Sequence, residues 1–222
     1  MRKVSVVILV VILILSAFLF SSCNSDKVNI DGVVYLLLEE HATVIEYKGK
    51  SLEVVIMEEV EGLDVDMIKK NVFENKNIVK ITIPDTIQFI DDYAFKNCKD
   101  LLVLEYNKGL ISGNAFEGCS SLTTITFKEN VKIYGAAFKD CTSLETINFS
   151  SGILIRNVFE GCTALTKVYI PKTITRMTQD VFKGCSVELY FETETALDTY
   201  PESFDGVNSV HWGVTKAEFD SL

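Results

Sequence analysis

The sequence predicts a mainly β solenoid built from stacked repeats of 21 to 23 residues. A phenylalanine recurs at this spacing at six positions: Phe73, Phe95, Phe116, Phe138, Phe159 and Phe182. From the second position onward, a cysteine follows each phenylalanine three residues later: Cys98, Cys119, Cys141, Cys162 and Cys185. After each turn comes a short apolar–polar–apolar alternation, which is typical of a strand with one buried face. One such repeat cannot bury its own apolar side chains, whereas stacked repeats share a continuous core.

The first element, residues 1–22, is predicted to be a signal peptide. Two basic residues precede an apolar run from 4 to 20, and two serines stand before Cys23. This order is typical of secretory signals. The serine–serine–cysteine ending resembles the bacterial lipobox, in which the cysteine is lipidated and becomes the mature N-terminus. The alternative is an uncleaved single-pass N-terminal anchor, because the apolar run is just long enough to span a bilayer.

Both interpretations place the rest of the chain outside the cytoplasmic membrane of a bacterium, at the cell surface or in the periplasm. Residues 23–31 then form a lipidated linker. The chain has a net charge of −10, but residues 67–190 contain 15 basic and 13 acidic side chains. Because nucleic-acid binding requires clustered lysine and arginine, this near-neutral array argues against nucleic acid as a partner.

Residues 32–67 are predicted to form an N-terminal cap of β structure. The apolar runs 33–38 and 43–47 flank a short polar connection, which predicts a β-hairpin. A third run, 52–57, predicts another strand before a degenerate first repeat. A cap is expected here because the open end of a solenoid would otherwise expose its apolar core.

Residues 68–191 are predicted to form the repeat array. Each unit contains the pattern L-x-x-I-x-I, and stacking its strands predicts one parallel sheet. The residue before each cysteine is of a type that tolerates left-handed backbone: Asn97, Gly118, Asp140, Gly161 and Gly184. An apolar residue upstream of each phenylalanine, such as Ile90, supplies the opposite wall, which is expected to be irregular or to contain short helical turns.

These residues resemble the BspA-like, or treponemal-type, bacterial leucine-rich repeats. Their unit reads roughly L-x-x-I-x-I-P-x-x-V-x-x-I-x-x-x-A-F-x-x-C, and residues 83–98 follow it almost position by position. The first unit departs from the pattern, because Lys76 stands where the later units have cysteine. The resemblance implies a leucine-rich-repeat solenoid with a concave parallel sheet and an N-terminal β-hairpin, on an exported or surface-attached protein. It implies no common catalytic activity.

Residues 192–222 are predicted to form the C-terminal cap and tail. The phrase around Trp212 resembles the closing phrase of the same family, and Trp212 is expected to cover the last apolar rung. No cofactor or metal site is predicted. Both histidines, His41 and His211, fall in the caps, and no nucleophile, phosphate-loop or zinc motif accompanies them. The chain is therefore predicted not to be an enzyme.

The five repeat cysteines are predicted to be reduced and packed in the core. An exported protein is in an environment that favours disulfide formation. Equivalent side chains in stacked rungs, however, point the same way and stay too far apart for good disulfide geometry. A buried cysteine instead behaves as a small apolar side chain.

The predicted function is binding of a protein or peptide on the outward face of the repeat strands. The residues assigned to this site lie in the middle and C-terminal rungs: Thr126, Asn148, Lys167, Tyr169 and Tyr190. Tyrosine and cations are favoured in protein recognition. Two alternatives remain at this point, a carbohydrate- or cell-wall-binding module and a structural spacer without a ligand. A monomer held to the membrane by its lipid anchor is expected.

Overall fold

The computed structural model describes residues 26–195 and 204–222, whose regular secondary structure consists of short β-strands and one short helix. In chain order the strands are β1 (Lys27–Ile30), β2 (Val33–Leu37), β3 (Ala42–Tyr47), β4 (Glu53–Val55), β5 (Glu59–Val60), β6 (Leu63–Ile68), β7 (Lys80–Thr82), β8 (Phe89–Ile90), β9 (Val103–Tyr106), β10 (Gly109–Ile111), β11 (Thr124–Phe127), β12 (Asn130–Tyr134), β13 (Thr146–Asn148), β14 (Ser151–Ile155), β15 (Lys167–Ile170), β16 (Ile174–Met177), β17 (Val187–Phe191) and β18 (Val207–Trp212). One short helix, α1 (Lys216–Asp220), follows them. The predicted signal peptide and Cys23 lie outside the described residues. Within 26–195 and 204–222, no helix is long and apolar enough to cross a membrane.

One wall of the solenoid, named here the repeat sheet, consists of β4, β7, β9, β11, β13, β15, β17 and β18. Every ladder in it is parallel. Pairing is continuous within β4–β7, β9–β11–β13 and β15–β17–β18, and these groups lie side by side. In the central group Thr124 is opposite both Val103 and Thr146, so successive repeats are aligned position by position. The predicted parallel-sheet solenoid is confirmed.

The opposite wall contains a second sheet, named the wall sheet, which includes the parallel series β3–β6–β8–β10–β12–β14–β16. In this respect the structure differs from the irregular or short-helical wall that the sequence predicts. Ile90 lies in a strand of 2 residues and Ile133 in one of 5. A strand of 2 residues such as β8 is too short to show an alternation that distinguishes it from a loop. They pair because the repeat spacing brings equivalent backbone segments side by side.

The predicted N-terminal β-hairpin is confirmed. Strands β2 and β3 pair antiparallel, and β1 adds to the free edge of β2. Strand β3 then begins the parallel part of the wall sheet by pairing with β6. The third apolar run contains β4, which pairs with β7 and contributes the first rung of the repeat sheet. The cap is therefore continuous with both walls of the solenoid.

Between the two sheets, the core consists of columns of equivalent side chains. The six repeat phenylalanines stack with neighbouring ring centroids 4.8 to 5.6 Å apart and interplanar angles of at most 14°. A second column is fully buried: Leu101, Leu122, Leu144 and Leu165. Aromatic pairs at such separations add about 0.5–1.5 kcal/mol each beyond area burial. The columns therefore stabilise each rung mainly through its two neighbours.

The five repeat cysteines form a third buried column and are free thiols. Each thiol donates a hydrogen bond to the phenylalanine carbonyl oxygen of the preceding repeat, with S···O distances of 3.0 to 3.3 Å. The Phe95 oxygen, for example, accepts from Cys119 Sγ and from the backbone N–H of Cys98. Cysteine thus has the volume of a small apolar residue and also links adjacent rungs.

The turn before each cysteine has left-handed backbone, with φ between 57° and 75° in all five repeats. Asn97 has φ 58° and Gly118 has φ 72°. A Cβ atom on Gly118 would lie 2.5 Å from Asn97 Oδ1. Both the backbone conformation and the side chain of the rung before therefore favour glycine at this turn.

Candidate ligand-binding face

The outward side chains of the repeat sheet form two columns, named here the outer face. In strands such as β11 and β13, one buried residue lies between two that point away from the core. The first column contains Glu53, Lys80, Val103, Thr124, Thr146, Lys167, Glu188 and Ser209. The second contains Val55, Thr82, Glu105, Thr126, Asn148, Tyr169, Tyr190 and His211. Within each paired group of strands, backbone pairing holds these side chains at strand spacing, so they have defined neighbours.

The structure adds a rung at each end of the series that the sequence predicts. At the N-terminal end this rung is β4, and at the C-terminal end it is β18, which pairs in parallel with β17. The sequence interpretation assigned both segments to caps. The sequence does contain a signal for the C-terminal rung, because His211 stands between two apolar residues, Val210 and Trp212, in the alternation that is typical of a strand.

The middle rungs present small polar groups to solvent. Asn148 Nδ2 donates a hydrogen bond to Thr126 Oγ1 across neighbouring strands, with an N···O distance of 3.3 Å. Thr146 is exposed, and Thr124 is half-buried. The structure therefore brings two of the five predicted site residues, Thr126 and Asn148, into contact at the centre of the outer face.

Tyr169 and Tyr190 are opposite each other on β15 and β17, but helix α1 covers them. Their exposed fractions are only 8% and 7%. The Phe219 ring centroid lies 5.5 Å from that of Tyr169 and 5.3 Å from that of Tyr190. On the other side, His211 stacks on Tyr190 with a centroid distance of 4.5 Å. The two tyrosines are thus part of an aromatic cluster beneath the C-terminal helix.

Helix α1 was not predicted from the sequence, although its N-terminal signal is present. Thr215 and Glu218 form a capping box, in which each side chain bonds the backbone N–H of the other residue. Lys216 and Asp220 form an ion pair one turn apart. The S/T-x-x-E pattern could have located the helix, but nothing in the sequence indicates where it packs.

Charged groups surround the aromatic cluster. Burial is the main cause that raises the pKa of Tyr169 to about 12, and the nearby Glu192 carboxylate adds to the increase. The Tyr190 hydroxyl donates to a Glu188 carboxylate oxygen 2.6 Å away, which raises the pKa of Tyr190. Hydrogen bonds from Lys172 lower the pKa of Glu192. Both tyrosines are therefore neutral hydrogen-bond donors at neutral pH.

A hollow of about 570 Å³ lies between α1 and the middle rungs. Its lining includes three of the five predicted site residues, Asn148, Lys167 and Tyr169. Lys216 and Asp220 of the helix line the opposite side. The Lys167 ammonium group donates to the backbone carbonyl of Leu222 at 3.3 Å. The hollow is thus lined by a lysine on each side, by polar groups and by aromatic rings.

A second hollow, of about 460 Å³, lies over the N-terminal rungs of the outer face and was not predicted. Val55, Leu102 and Val103 are 59%, 47% and 45% exposed. Leu102 and Val103 line this hollow together with Glu105 and Lys128, which form an ion pair. One feature of the sequence could have indicated this hollow: Leu102 and Val103 occupy the positions at which the next repeat has two threonines.

The two histidines lie far apart in the sequence, His41 in the connection before β3 and His211 in β18. His41 immediately precedes β3 and lies 3.9 Å from Asp66. His211 is on the outer face, with Nε2 3.0 Å from the Ser209 hydroxyl. Among residues 26–195 and 204–222, no group of three or more histidine, cysteine, aspartate or glutamate side chains is placed to hold a metal ion.

Two solved structures share this architecture over most of the chain. A leucine-rich repeat protein of T. pallidum has a TM-score of 0.50 and 18% identity, over 88% of this chain and 94% of that protein. A leucine-rich repeat protein from Eubacterium ventriosum has a TM-score of 0.57 and 18% identity, over 84% of this chain. The match covers 55% of the Eubacterium ventriosum protein. At these identities the likeness concerns the fold. No curated protein matches the chain.

The family described as BspA type leucine rich repeat region matches residues 66–188 in six copies. This range is more than half of the 222 residues. It includes the phenylalanine and cysteine columns of the core and the middle rungs of the outer face. The chain therefore belongs to the BspA-type leucine-rich repeat family.

Proposed function

We propose that this chain is a non-enzymatic binding module whose outer face binds a protein or peptide. The observation that carries the proposal is the hollow beside α1. There, Asn148, Lys167 and Tyr169 combine an amide, a cation and an aromatic ring within one concavity. Tyrosine and cations are favoured at protein interfaces, and solenoids commonly bind along the sheet that their stacked repeats form.

The rigidity of the outer face supports this assignment. Its side chains lie on strands that are paired within the groups β4–β7, β9–β11–β13 and β15–β17–β18, and the buried residues between them lie against the core columns. Side chains on such a face can vary without disturbing the rung beneath. A preorganised surface also loses little conformational freedom when a ligand binds.

We also propose that the module acts outside the bacterial cytoplasmic membrane, held there by a lipid on Cys23. The serine–serine–cysteine sequence after the apolar run supports this location. Strand β1 begins at Lys27, inside the segment 23–31 that the sequence predicts as a linker, so a lipid on Cys23 would hold the solenoid as a monomer close to the membrane surface. In that position the outer face remains accessible to a partner.

The test is a screen of peptide and protein libraries with the full chain in detergent, followed by alanine variants. Lys167→Ala and Asn148→Ala should weaken binding at least about fivefold if these residues are anchors. Lys132→Ala is the matched control, because Lys132 is exposed on the wall sheet.

Equal binding by Lys167→Ala, Asn148→Ala and wild type would contradict the proposed face. A glycan array run in parallel distinguishes the other classes. Specific glycan binding without peptide binding indicates a carbohydrate module, and no binding to either library indicates a spacer.

A further inference from the structure

The tail segment, residues 215–222, occupies part of the outer face. Its Phe219 ring packs on Tyr169 and Tyr190, and the Lys216 ammonium group lies 5.6 Å from the Tyr169 ring centroid. The Leu222 carbonyl accepts a hydrogen bond from Lys167. The segment thus uses aromatic, cation–π and polar contacts to a face whose remaining rungs are open.

This contact depends mainly on one apolar side chain. Helix α1 buries no residue, and Phe219 is only half-buried. The capping box and the Lys216–Asp220 ion pair act within the helix and do not attach it to the sheet. A helix of five residues is marginal by itself, so its order depends on docking. The tail segment is therefore bound only weakly to the outer face.

The chain is secured just before the tail segment begins. The backbone N–H of Gly213 donates to Thr193 O at 2.8 Å, and that of Val214 donates to Phe191 O at 3.0 Å. These bonds keep the start of the tail segment beside the outer face even when Phe219 leaves it. A segment tethered so closely has an effective concentration in the millimolar range.

We propose that the tail segment is a built-in competitor for the outer face, and that the external ligand is a peptide of the same chemistry. Such a peptide carries an aromatic residue that replaces Phe219 over the two tyrosines. It also carries a cation in place of Lys216 and a carbonyl oxygen within reach of Lys167. Displacement of the tail segment then exposes Tyr169 and Tyr190, which join Asn148 and Lys167 in one continuous site. This inference rests on the proposed function of the outer face.

The test uses the full chain carrying Phe219→Ala and, as the probe, a fluorescent peptide with the sequence of residues 213–222. The peptide should bind the variant about tenfold more tightly than it binds the wild-type chain, where the tethered segment competes. The same peptide with its phenylalanine replaced by alanine should bind the variant at least tenfold more weakly. A chain ending at Val214 repeats the measurement, so the test does not depend on the folding of one variant.

Two second-site variants in the Phe219→Ala background locate the peptide. Lys167→Ala should weaken peptide binding several-fold, whereas Val103→Ser, in the N-terminal hollow, should leave it unchanged. Equal affinity for wild-type and Phe219→Ala chains, no binding to either variant, or loss of binding only in Val103→Ser would overturn the proposal. If a partner from the library screen binds wild type and Phe219→Ala equally well, the tail segment does not compete with it. The proposed binding function then stands, and only the competitor role is refuted. If the fluorescent peptide binds as expected but the library screen finds no external partner, the docking of the tail segment on the outer face stands, and the proposed function is refuted.

Discussion

The cysteine column shows how a single residue type meets two requirements at one position. A thiol is small enough for the buried column that these cysteines form, and it donates a hydrogen bond to a phenylalanine carbonyl oxygen of the preceding repeat, which alanine could not do. Burial is the first cause that raises the pKa of Cys98 and of Cys185 to about 12. A thiol with such a pKa is protonated at neutral pH and is a poor nucleophile.

Thiol reactivity follows from this burial. In a full chain carrying Cys23→Ala, a thiol reagent without added reductant should find almost no reactive thiol in the native state. After denaturation it should find about five, the number of free buried cysteines. A count of one in denaturant, with the mass loss of two disulfides, would show that the column is oxidised.

Alkaline pH should destabilise the fold. The unfolded thiols ionise near pH 9, whereas the folded thiols of Cys98 and Cys185 remain protonated until about pH 12. The folded state therefore binds more protons in this window, and the free energy of unfolding falls as pH rises from about 9 towards 12. Each such thiol contributes at most about 1.4 kcal/mol per pH unit.

Denaturant unfolding at pH 8 and pH 10.5 measures this effect. Cys98→Ser is the matched variant, because its hydroxyl can donate to the Phe73 carbonyl but does not titrate in this range. It should show a smaller loss of stability between the two pH values than wild type. An identical loss in both proteins would exclude Cys98 as a source of the pH dependence.

At the scale of elements, the stability of each rung depends on the columns it joins. Leu144 is fully buried between Leu122 and Leu165. Leu144→Ala should lower the free energy of unfolding by about 2–5 kcal/mol, as expected for a core truncation that leaves a cavity. Leu102→Ala is the matched control, since Leu102 is exposed, and it should change stability by about 0.5 kcal/mol or less. Similar losses in both variants would contradict the assignment of the buried column.

The elements that the sequence predicts well are those that repeat. The spacing of Phe95 and Cys98 and the alternation around Ile125 recur, so each repeat supports the assignment of the others. The wall sheet was not predicted from the sequence. Strand β8 contains only 2 residues, and the pairing of the wall strands depends on the stacking of repeats rather than on local pattern. The N-terminal hairpin was predictable because β2 and β3 are longer apolar runs with a polar connection.

The candidate site was predictable only in part, for a physical reason. Strand alternation identifies which side chains point outward, and this locates Thr126, Asn148 and Lys167 on the outer face. Strand alternation cannot show which other segments of the chain cover the outer face. The burial of Tyr169 and Tyr190 results from the docking of a five-residue helix that lies outside the repeats. Long-range contacts of a non-repeating segment leave no periodic signal.

At the scale of the whole molecule, the outer face has three distinct parts. The N-terminal rungs present apolar side chains around Val103, the middle rungs present small polar groups around Asn148, and the C-terminal rungs lie beneath the tail segment. The uninterrupted core columns fix the order of these parts along the solenoid. A ligand that displaces the tail segment would therefore contact the middle and C-terminal rungs together, while the apolar N-terminal hollow remains a separate surface.

The location of the molecule is a prediction that depends on Cys23. A lipid on this residue would anchor the solenoid through the short linker, whereas an uncleaved apolar run would anchor it without any modification. Cys23→Ala in a bacterial host should therefore abolish incorporation of a labelled fatty acid and leave an unprocessed or released chain. Cys98→Ser, which removes a buried thiol, should label like wild type. Undiminished labelling of Cys23→Ala would exclude Cys23 as the lipidation site, and unchanged size with unchanged membrane association in that variant would indicate the single-pass anchor.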